Sequence, residues 1–182
     1  MKWVTRERPK IDRIACPWLI QRFIDPDPTF LYVPSSEVLR VASDEGATPY
    51  DIPGVELSHV GPLCSFDAFL KKYQLGDPAL ARLAEIVRGA DTSRLELTPQ
   101  SAGLYAISLG LSRIFANDHE MLTHGLVLYD ALLAWCRDCK VRPTIGLLRS
   151  KEPSNQSWCC HAGSRYSRYG SCGRDNSDPC EP

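Results

Sequence analysis

The sequence predicts an α+β fold that is mainly helical, with a small sheet in the first third packed on a helical bundle. A β-rich run at residues 30–33 precedes a capped amphipathic segment, which indicates a strand followed by a helix. After residue 65, apolar residues recur at helical spacing behind capping residues, and no internal repeat is present. The length of 182 residues fits one main core.

A short helix is expected within residues 14–24, where apolar side chains are mixed with arginine and glutamine. Pro17 is expected in its first turn, because the N–H that proline lacks would have no intrahelical partner there. The helix would therefore begin near Ala15 or Cys16 and end before residues 25–28, which contain two prolines.

Three strands are expected in the first third of the chain, at residues 30–33, 48–52 and 55–60. The last of them alternates apolar and polar residues between two turns that contain glycine and proline. Residues 35–42 lie between the first two strands and have the pattern of a capped amphipathic helix.

Four more helices are expected, at residues 65–73, 78–88, 99–115 and 118–136. Asp77 can cap the second of these helices and Gly89 can stop it. The last two helices follow each other closely, with Asn117 or Asp118 as a cap between them. They are therefore expected to form a helical hairpin.

The folded domain is predicted to cover residues 1–140, and residues 141–182 are predicted to form a disordered tail. The tail contains seven Ser, four Gly and four Pro, without a helical or alternating apolar pattern. Such a composition buries too little surface to offset chain entropy. Because the pattern is lost abruptly near Lys140, a shifted reading frame is a second explanation for these residues.

Composition argues against several classes of partner. The formal net charge is −1, and the tail holds six of the 21 Lys and Arg and four of the 22 Asp and Glu, which leaves 15 against 18 in residues 1–140. DNA is therefore not an expected partner, because affinity for DNA rests mainly on cations. No signal peptide and no membrane span is predicted. We expect a cytoplasmic protein with reduced cysteines.

Three cations lie near the first predicted helix. Lys10 and Arg13 come just before or at its start, where free N–H groups and the helix dipole favour a bound anion. Arg22 could join them if it points to the same cleft, and two guanidinium groups could then hold a tetrahedral dianion. The alternative is that Asp12 and Asp25 pair with these arginines in structural salt bridges.

Side chains that could bind a metal ion follow the last predicted strand. His59, Cys64 and Asp67 could converge between the strand and the next helix, and zinc or iron accepts such a mixture. The spacing matches no known metal-binding template. In the alternative interpretation Asp67 interacts with the helix dipole and His59 is a hydrogen-bonded structural residue.

Asp91 and His119 are a third pair of candidates, since each lies at an end of a predicted helix. Ends of neighbouring helices can meet on one side of a bundle, where a carboxylate could orient an imidazole for metal binding or proton transfer. The alternative role for Asp118 is that of a helix cap. His124 follows His119 by five residues, off the i+4 face, which makes a metal ion shared by the two a weak hypothesis.

Several sequence blocks, in order along the chain, are similar to the ChrB-type chromate-resistance domain. They are IDRIACPWLIQRFIDP at 11–26, DIPGVELSH at 51–59, CSFDAFL at 64–70, DPALARLAEIVRGAD at 77–91, AISLGLSRIFANDHEML at 106–122 and YDALLAWCRD at 129–138. The resemblance covers about three quarters of the chain and implies a stand-alone form of that domain.

The resemblance implies a domain that senses or handles chromate, a tetrahedral dianion shaped like sulfate, in the cytoplasm. Chromate or a similar oxyanion is then the expected partner, and a homo-oligomer is compatible with the sequence. The candidate anion contacts are Lys10, Arg13, Arg22 and Arg88. The resemblance carries no established reaction, and the standard enzyme motifs are missing from the sequence, so the question of catalysis stays open.

Two other functions remain open at this point. The first is a metal-dependent enzyme or redox protein, with a divalent ion such as zinc or iron held by His59, Asp67, Asp91 and His119. In that case Cys16 or Cys64 would be the redox-active thiol. The second is an accessory transcriptional regulator of a chromate-resistance locus, although the N-terminal region of the family's regulators is missing here, and this and the acidic balance favour no contact with DNA.

Overall fold

The computed structural model describes residues 1–138 and confirms an α+β architecture that is mainly helical. Within this range the strands are β1 (Lys2–Arg6), β2 (Thr29–Val33) and β3 (Thr48–Pro49). The α-helices are α1 (Ile11–Leu19), α2 (Val38–Glu45), α3 (Ser65–Lys72), α4 (Pro78–Asp91), α5 (Pro99–Ile114) and α6 (Asp118–Asp138). A π-helical segment, Ile20–Ile24, continues α1, and a 3-10 turn, Leu95–Leu97, precedes α5.

The predicted tail at residues 141–182 lies outside the described residues. Inside them, no helix combines the length and the apolar character that crossing a membrane requires.

The N-terminal strand β1, which the sequence analysis did not predict, is the centre of the sheet. It pairs in parallel with β2 on one edge and β3 on the other. Its three inner residues, Trp3, Val4 and Thr5, are all buried. A strand buried on both faces does not alternate polar and apolar residues. This strand is also short and is bounded by two cations, Lys2 and Arg6, which is why its sequence did not indicate a strand.

Residues 55–60 do not form the predicted third strand. They lie in a series of turns, because the Asp51 N–H donates to the Leu57 carbonyl at 2.9 Å and folds the loop back beside β3. Val60 makes an isolated antiparallel bridge to Leu63 and pairs with no strand of the sheet. The apolar alternation in this segment reflects the burial of Leu57 in the core.

Helix α1 begins at Ile11, earlier than predicted, so Pro17 lies inside it. Two tertiary hydrogen bonds hold this early start. The Asp12 N–H donates to Asp91 Oδ1 at 3.4 Å, and the Tyr129 hydroxyl donates to the Ile11 carbonyl at 3.0 Å. Both partners come from distant helices, which is why local signals around the proline placed the helix start too late.

Helix α4 continues past its predicted stop at Gly89 and ends at Asp91. A Cβ at position 89 would collide with the hydroxyl of Ser101 on α5, so this glycine allows two helices to pack closely. The predicted cap at Asp77 is confirmed, since its carboxylate accepts the Ala79 N–H at 2.8 Å.

Aromatic side chains form the centre of the main core, where α1 packs on the other helices. Trp18 stacks on Phe66 with ring centroids 6.4 Å apart and lies 6.0 Å from the ring of Tyr129. Beside them, Gly125 of α6 faces Ile14 of α1, and a Cβ at position 125 would collide with that isoleucine. The close approach of α1 and α6 therefore depends on this glycine.

Gly125→Ala is expected to lower the free energy of unfolding by about 1–3 kcal/mol, because the new methyl group would overlap Ile14 in a packed interior. Chemical denaturation measures this change. In an Ile14→Ala background the same substitution should cost much less, since the overlapping side-chain atoms are gone. An alanine variant as stable as the parent protein would contradict the packing.

Candidate functional site

The structure brings one histidine and three aspartates to a single point. His59 Nε2 lies 3.1 Å from Asp91 Oδ2, 3.3 Å from Asp51 Oδ1 and 3.5 Å from Asp12 Oδ2. The three carboxylates are largely buried, whereas 40% of the histidine side chain is exposed. We call these four residues the aspartate–histidine cluster.

The cluster is assembled from four separate parts of the chain. Asp12 is in the first turn of α1, and Asp91 is the last residue of α4. Asp51 follows β3 with a left-handed backbone (φ 52°), a conformation that aspartate adopts more readily than most residues. His59 is in the turns that lead from β3 to α3. The cluster therefore exists only in the folded chain.

Asp12 is the most deeply buried member of the cluster, with 1% of its surface exposed. Its Oδ2 accepts the backbone N–H groups of Ser65 at 2.6 Å and Phe66 at 3.4 Å, at the start of α3. Its Oδ1 is buried and has no hydrogen-bond partner among the described residues. Burial raises the pKa of Asp12 well above its ordinary value, and the charges of Asp91 and Asp51 raise it further.

Asp51 is held by cations and a hydroxyl. Arg6 lies 2.9 Å and Arg13 3.3 Å from Oδ2, and the Ser65 hydroxyl donates to Oδ1 at 2.8 Å. Burial alone would raise the pKa of Asp51, but the hydrogen bonds from His59 and Ser65 and the charge of Arg6 outweigh it, so the pKa is lowered. Asp51 is therefore the ionised anchor of the cluster.

The carboxylates shift the protonation of His59. The hydrogen bond to Asp51 and the charges of Asp12 and Asp91 raise the pKa of His59 to about 9, against the opposing effect of burial. The pKa of Asp91 is also raised, by burial first and then by the charge of Asp51. In the metal-free protein at neutral pH, the imidazole is thus a cation among carboxylates.

The exposed side of the cluster opens into a depression of about 340 Å³. Arg6, Asp51, Ser58 and His59 are among its lining residues. A small ion or molecule can therefore reach His59 and Asp51 from solvent.

Three members of the cluster, Asp12, His59 and Asp91, offer ligand atoms that all lie within 4.8 Å of one another. One imidazole nitrogen and two carboxylate oxygens suit a divalent ion such as Mn²⁺, Fe²⁺ or Zn²⁺. The partnerless Asp12 Oδ1 supplies a buried acceptor of the kind that a cation would satisfy. Chemically, these three side chains could hold a divalent metal ion beside the depression.

The structure separates the four metal ligands that the sequence suggested. His59 and Asp91 come together in the cluster. Asp67 instead forms two hydrogen bonds with Arg88, at 2.7 and 2.9 Å, and accepts the Cys64 N–H at 3.0 Å. The ring of His119 packs edge-on against a tyrosine of β2, at a centroid distance of 5.3 Å.

Three of the four candidate anion contacts are arginines that pair with aspartates of the domain. Arg13 bonds to Asp51 and to backbone carbonyls, Arg22 pairs with Asp130 at 2.7 Å, and Arg88 pairs with Asp67. Lys10 is exposed at the start of α1. At that helix start, the Asp12 N–H already bonds to the carboxylate of Asp91.

Both candidate thiols are buried. Burial raises the pKa of Cys16 and of Cys64, and the charge of Asp12 raises both further. Because the thiolate is the reactive form, these environments disfavour thiol chemistry in the folded protein. The redox role of the two cysteines stays a prediction.

Sequence reasoning missed two members of the cluster. Asp12 was considered only as a salt-bridge partner of nearby arginines, and Asp51 was not singled out at all. One signal was present, since Asp51 opens the same DIPGVELSH block that ends in His59. Nothing local marks Asp12, whose importance comes from contacts with α3 and α4.

The chain belongs to the family described as ChrB, C-terminal domain, which matches residues 3–136 and so includes the whole cluster. It is also similar to Protein ChrB of Cupriavidus metallidurans, with 33% identity over 132 residues. This alignment covers 72% of the chain but 39% of the relative, so the chain spans about two fifths of that protein's length. A comparison with solved structures found no match. Family membership confirms the resemblance that the sequence blocks indicated.

The raised pKa of His59 gives a testable pH dependence in metal-free protein. Imidazole titration by NMR should give a pKa of about 9, and Asp51→Asn should lower it, because the bond to Asp51 is its largest cause. Asp67→Asn, outside the cluster, should leave the pKa of His59 unchanged.

The same raised pKa affects stability. Because the pKa of His59 in the folded protein lies above the ordinary 6.5, protonated His59 stabilises the fold fully below pH 6.5, and this contribution disappears as the pH rises through about 9. The stability difference between the parent protein and His59→Gln should therefore shrink over that range, and a constant difference would contradict it.

Proposed function

We propose that this chain serves chromate resistance by binding a divalent metal ion at Asp12, His59 and Asp91. The observation that supports this most strongly is the convergence of the three ligand groups within 4.8 Å, with a buried carboxylate oxygen left without a partner. Carboxylate and imidazole are ligands that divalent transition metals share.

The electrostatics of the cluster favour a cation. The pKa values of Asp12 and Asp91 are both raised, first by burial and then by neighbouring negative charge, so neither carboxylate is fully compensated by the protein. A divalent ion would stabilise both carboxylates and replace the proton on His59. Because protons must leave, metal binding should strengthen as the pH rises.

The metal would also make the site suitable for an oxyanion. Three carboxylates by themselves repel a dianion, but a divalent ion in place of one imidazolium proton adds a net positive charge. Arg6 lines the depression, and its Nε is buried without a hydrogen-bond partner among residues 1–138. In this proposal the bound metal ion would attract chromate into the depression, where Arg6 could donate a charge-assisted hydrogen bond to it.

The alternative site for chromate is the set suggested by the sequence, Lys10, Arg13, Arg22 and Arg88. It stays a hypothesis, but the ion pairs made by its three arginines reduce their capacity to bind an external anion. A regulatory role without DNA contact and a cytoplasmic location remain expectations from the sequence.

The metal proposal predicts that the untagged chain binds one Mn²⁺ ion, measured by calorimetry and by elemental analysis after dialysis. Mn²⁺ is the better probe because it favours carboxylates, whereas cysteine thiolates favour zinc. His59→Ala should weaken binding by at least about 100-fold, since even loss of an indirect partner of a metal ligand costs about 10–100-fold. Asp91→Asn should act in the same direction.

His119→Ala is the matched control, because it removes an exposed histidine outside the cluster. It should leave the affinity unchanged. If His119→Ala weakens Mn²⁺ binding as much as His59→Ala does, the cluster is not the site. The proposal also fails if no stoichiometric binding occurs at pH 8, where competition from protons is low.

Oxyanion binding is predicted to require the metal. Titration with chromate, and with sulfate as a redox-inert analogue, should show binding in the Mn²⁺-loaded protein and little in protein treated with a chelator. Arg6→Gln should weaken it by about tenfold or more, the effect of losing a charge-assisted hydrogen bond. Arg22→Ala should have no effect, because Arg22 is paired with Asp130. Metal-independent binding that Arg22→Ala abolishes would support the alternative set instead.

A further inference from the structure

The burial pattern of helix α5 is unusual, because serines dominate its buried positions while two of its isoleucines are exposed. Its buried positions are Ser101, Leu104, Ser108 and Ser112, so three of four are serine. On the other side, Ile107 is 49% exposed and Ile114 is 73% exposed. A helix that only covered the core of its own domain would have the opposite pattern.

The exposed isoleucines alternate with glycines along one stripe of α5. Gly103, Ile107, Gly110 and Ile114 are separated by four, three and four residues, which places them on the same helix face. We call these four residues the Gly/Ile stripe. It is distinct from the aspartate–histidine cluster and shares no residue with it.

Nothing in the described part of the chain accounts for the two glycines. A Cβ built at Gly103 or at Gly110 has no heavy atom within 4 Å, so neither glycine makes room for a neighbouring element of residues 1–138. Both have negative φ and lie in the interior of a helix, where glycine is unfavourable compared with alanine. Gly103 is exposed and Gly110 is half-buried, and the open space at these two glycines, seven residues apart, forms shallow hollows beside two exposed isoleucines.

We propose that the Gly/Ile stripe is the contact between two copies of this chain, paired through antiparallel α5 helices. In this register Ile107 packs on the partner's Gly110, and Ile114 packs on the partner's Gly103. In an antiparallel pair of identical helices, the numbers of two opposed residues always have the same sum. Positions 107 and 110 have the same sum as positions 103 and 114, so both contacts form in one register. A single twofold axis between residues 108 and 109 thus places every isoleucine opposite a glycine.

This register is the reason for choosing a second copy over an unrelated partner. A twofold interface requires a patch that is complementary to itself, and the stripe has that property at all four positions. Isoleucine side chains would enter the hollows as knobs enter holes, and the missing glycine side chains would let the two backbones approach closely. Antiparallel helices also place opposite ends of their dipoles side by side.

The test is the oligomeric state of the full 182-residue chain, without a tag and with chelator present so that metal cannot bridge two copies. Sedimentation velocity at protein concentrations up to roughly 1 mM should show a monomer–dimer equilibrium. Gly110→Leu should weaken dimerisation by at least about tenfold, because the leucine fills the hollow. Its circular dichroism should be unchanged, since the position is open in the monomer.

Ala102→Leu is the matched control, an exposed position of α5 that lies about 100° around the helix from Gly103. It should dimerise like the parent chain. A parent chain that is monomeric at every concentration would overturn the proposal, and so would a Gly110→Leu variant that dimerises normally. Equal loss of dimer in Ala102→Leu would also overturn it.

The register has a separate test with opposite charges. Ile107→Glu and Gly110→Arg should each weaken self-association, because each homodimer places a charge against an apolar or small residue. When the two variants are mixed, the glutamate at position 107 of one copy faces the arginine at position 110 of the other. The symmetry-related contact between Gly110 and Ile107 stays native. Native mass spectrometry should then show more heterodimer than either homodimer. A statistical mixture would contradict the proposed register.

Discussion

The bond between the buried carboxylate of Asp12 and the start of α3 is the interaction on which the rest of this domain depends. Asp12 accepts two N–H groups at a helix N-terminus, where the helix dipole favours an anion. Its own N–H donates to Asp91 at the end of α4. Helices α1, α3 and α4 therefore meet at two carboxylates. The same two carboxylates face His59, so the groups that position the helices also form the candidate metal site.

Both proposals arise where the structure departs from ordinary patterns of burial. In the aspartate–histidine cluster, carboxylates are buried close together, so burial and neighbouring negative charge raise the pKa values of Asp12 and Asp91. On α5 the departure is reversed, because apolar side chains are exposed and serines are buried. Local rules of folding are most often broken at functional sites, where a ligand or a partner supplies the missing interaction. A cation and a second copy of the chain are the corresponding complements here.

The helices with strong local signals were predictable from the sequence. The cap at Asp77, followed by apolar residues at helical spacing, predicted α4, and the two long helices α5 and α6 followed from two long periodic segments. The prediction failed where contacts distant in sequence decide the outcome. Strand β1 is recognisable only as the partner of β2 and β3, and α1 starts early because Asp91 and Tyr129 bond to its first turn.

The sequence by itself determined the α+β class, the family and two of the residues at the candidate site, His59 and Asp91. These follow from residue type and local order along the chain. Only the tertiary structure decided that Asp12 and Asp51 join them and that Arg88 neutralises Asp67. The physical reason is that a carboxylate acts as a ligand, a helix anchor or a salt-bridge partner according to the groups around it. Those groups lie up to 79 residues away, and folding alone brings them together.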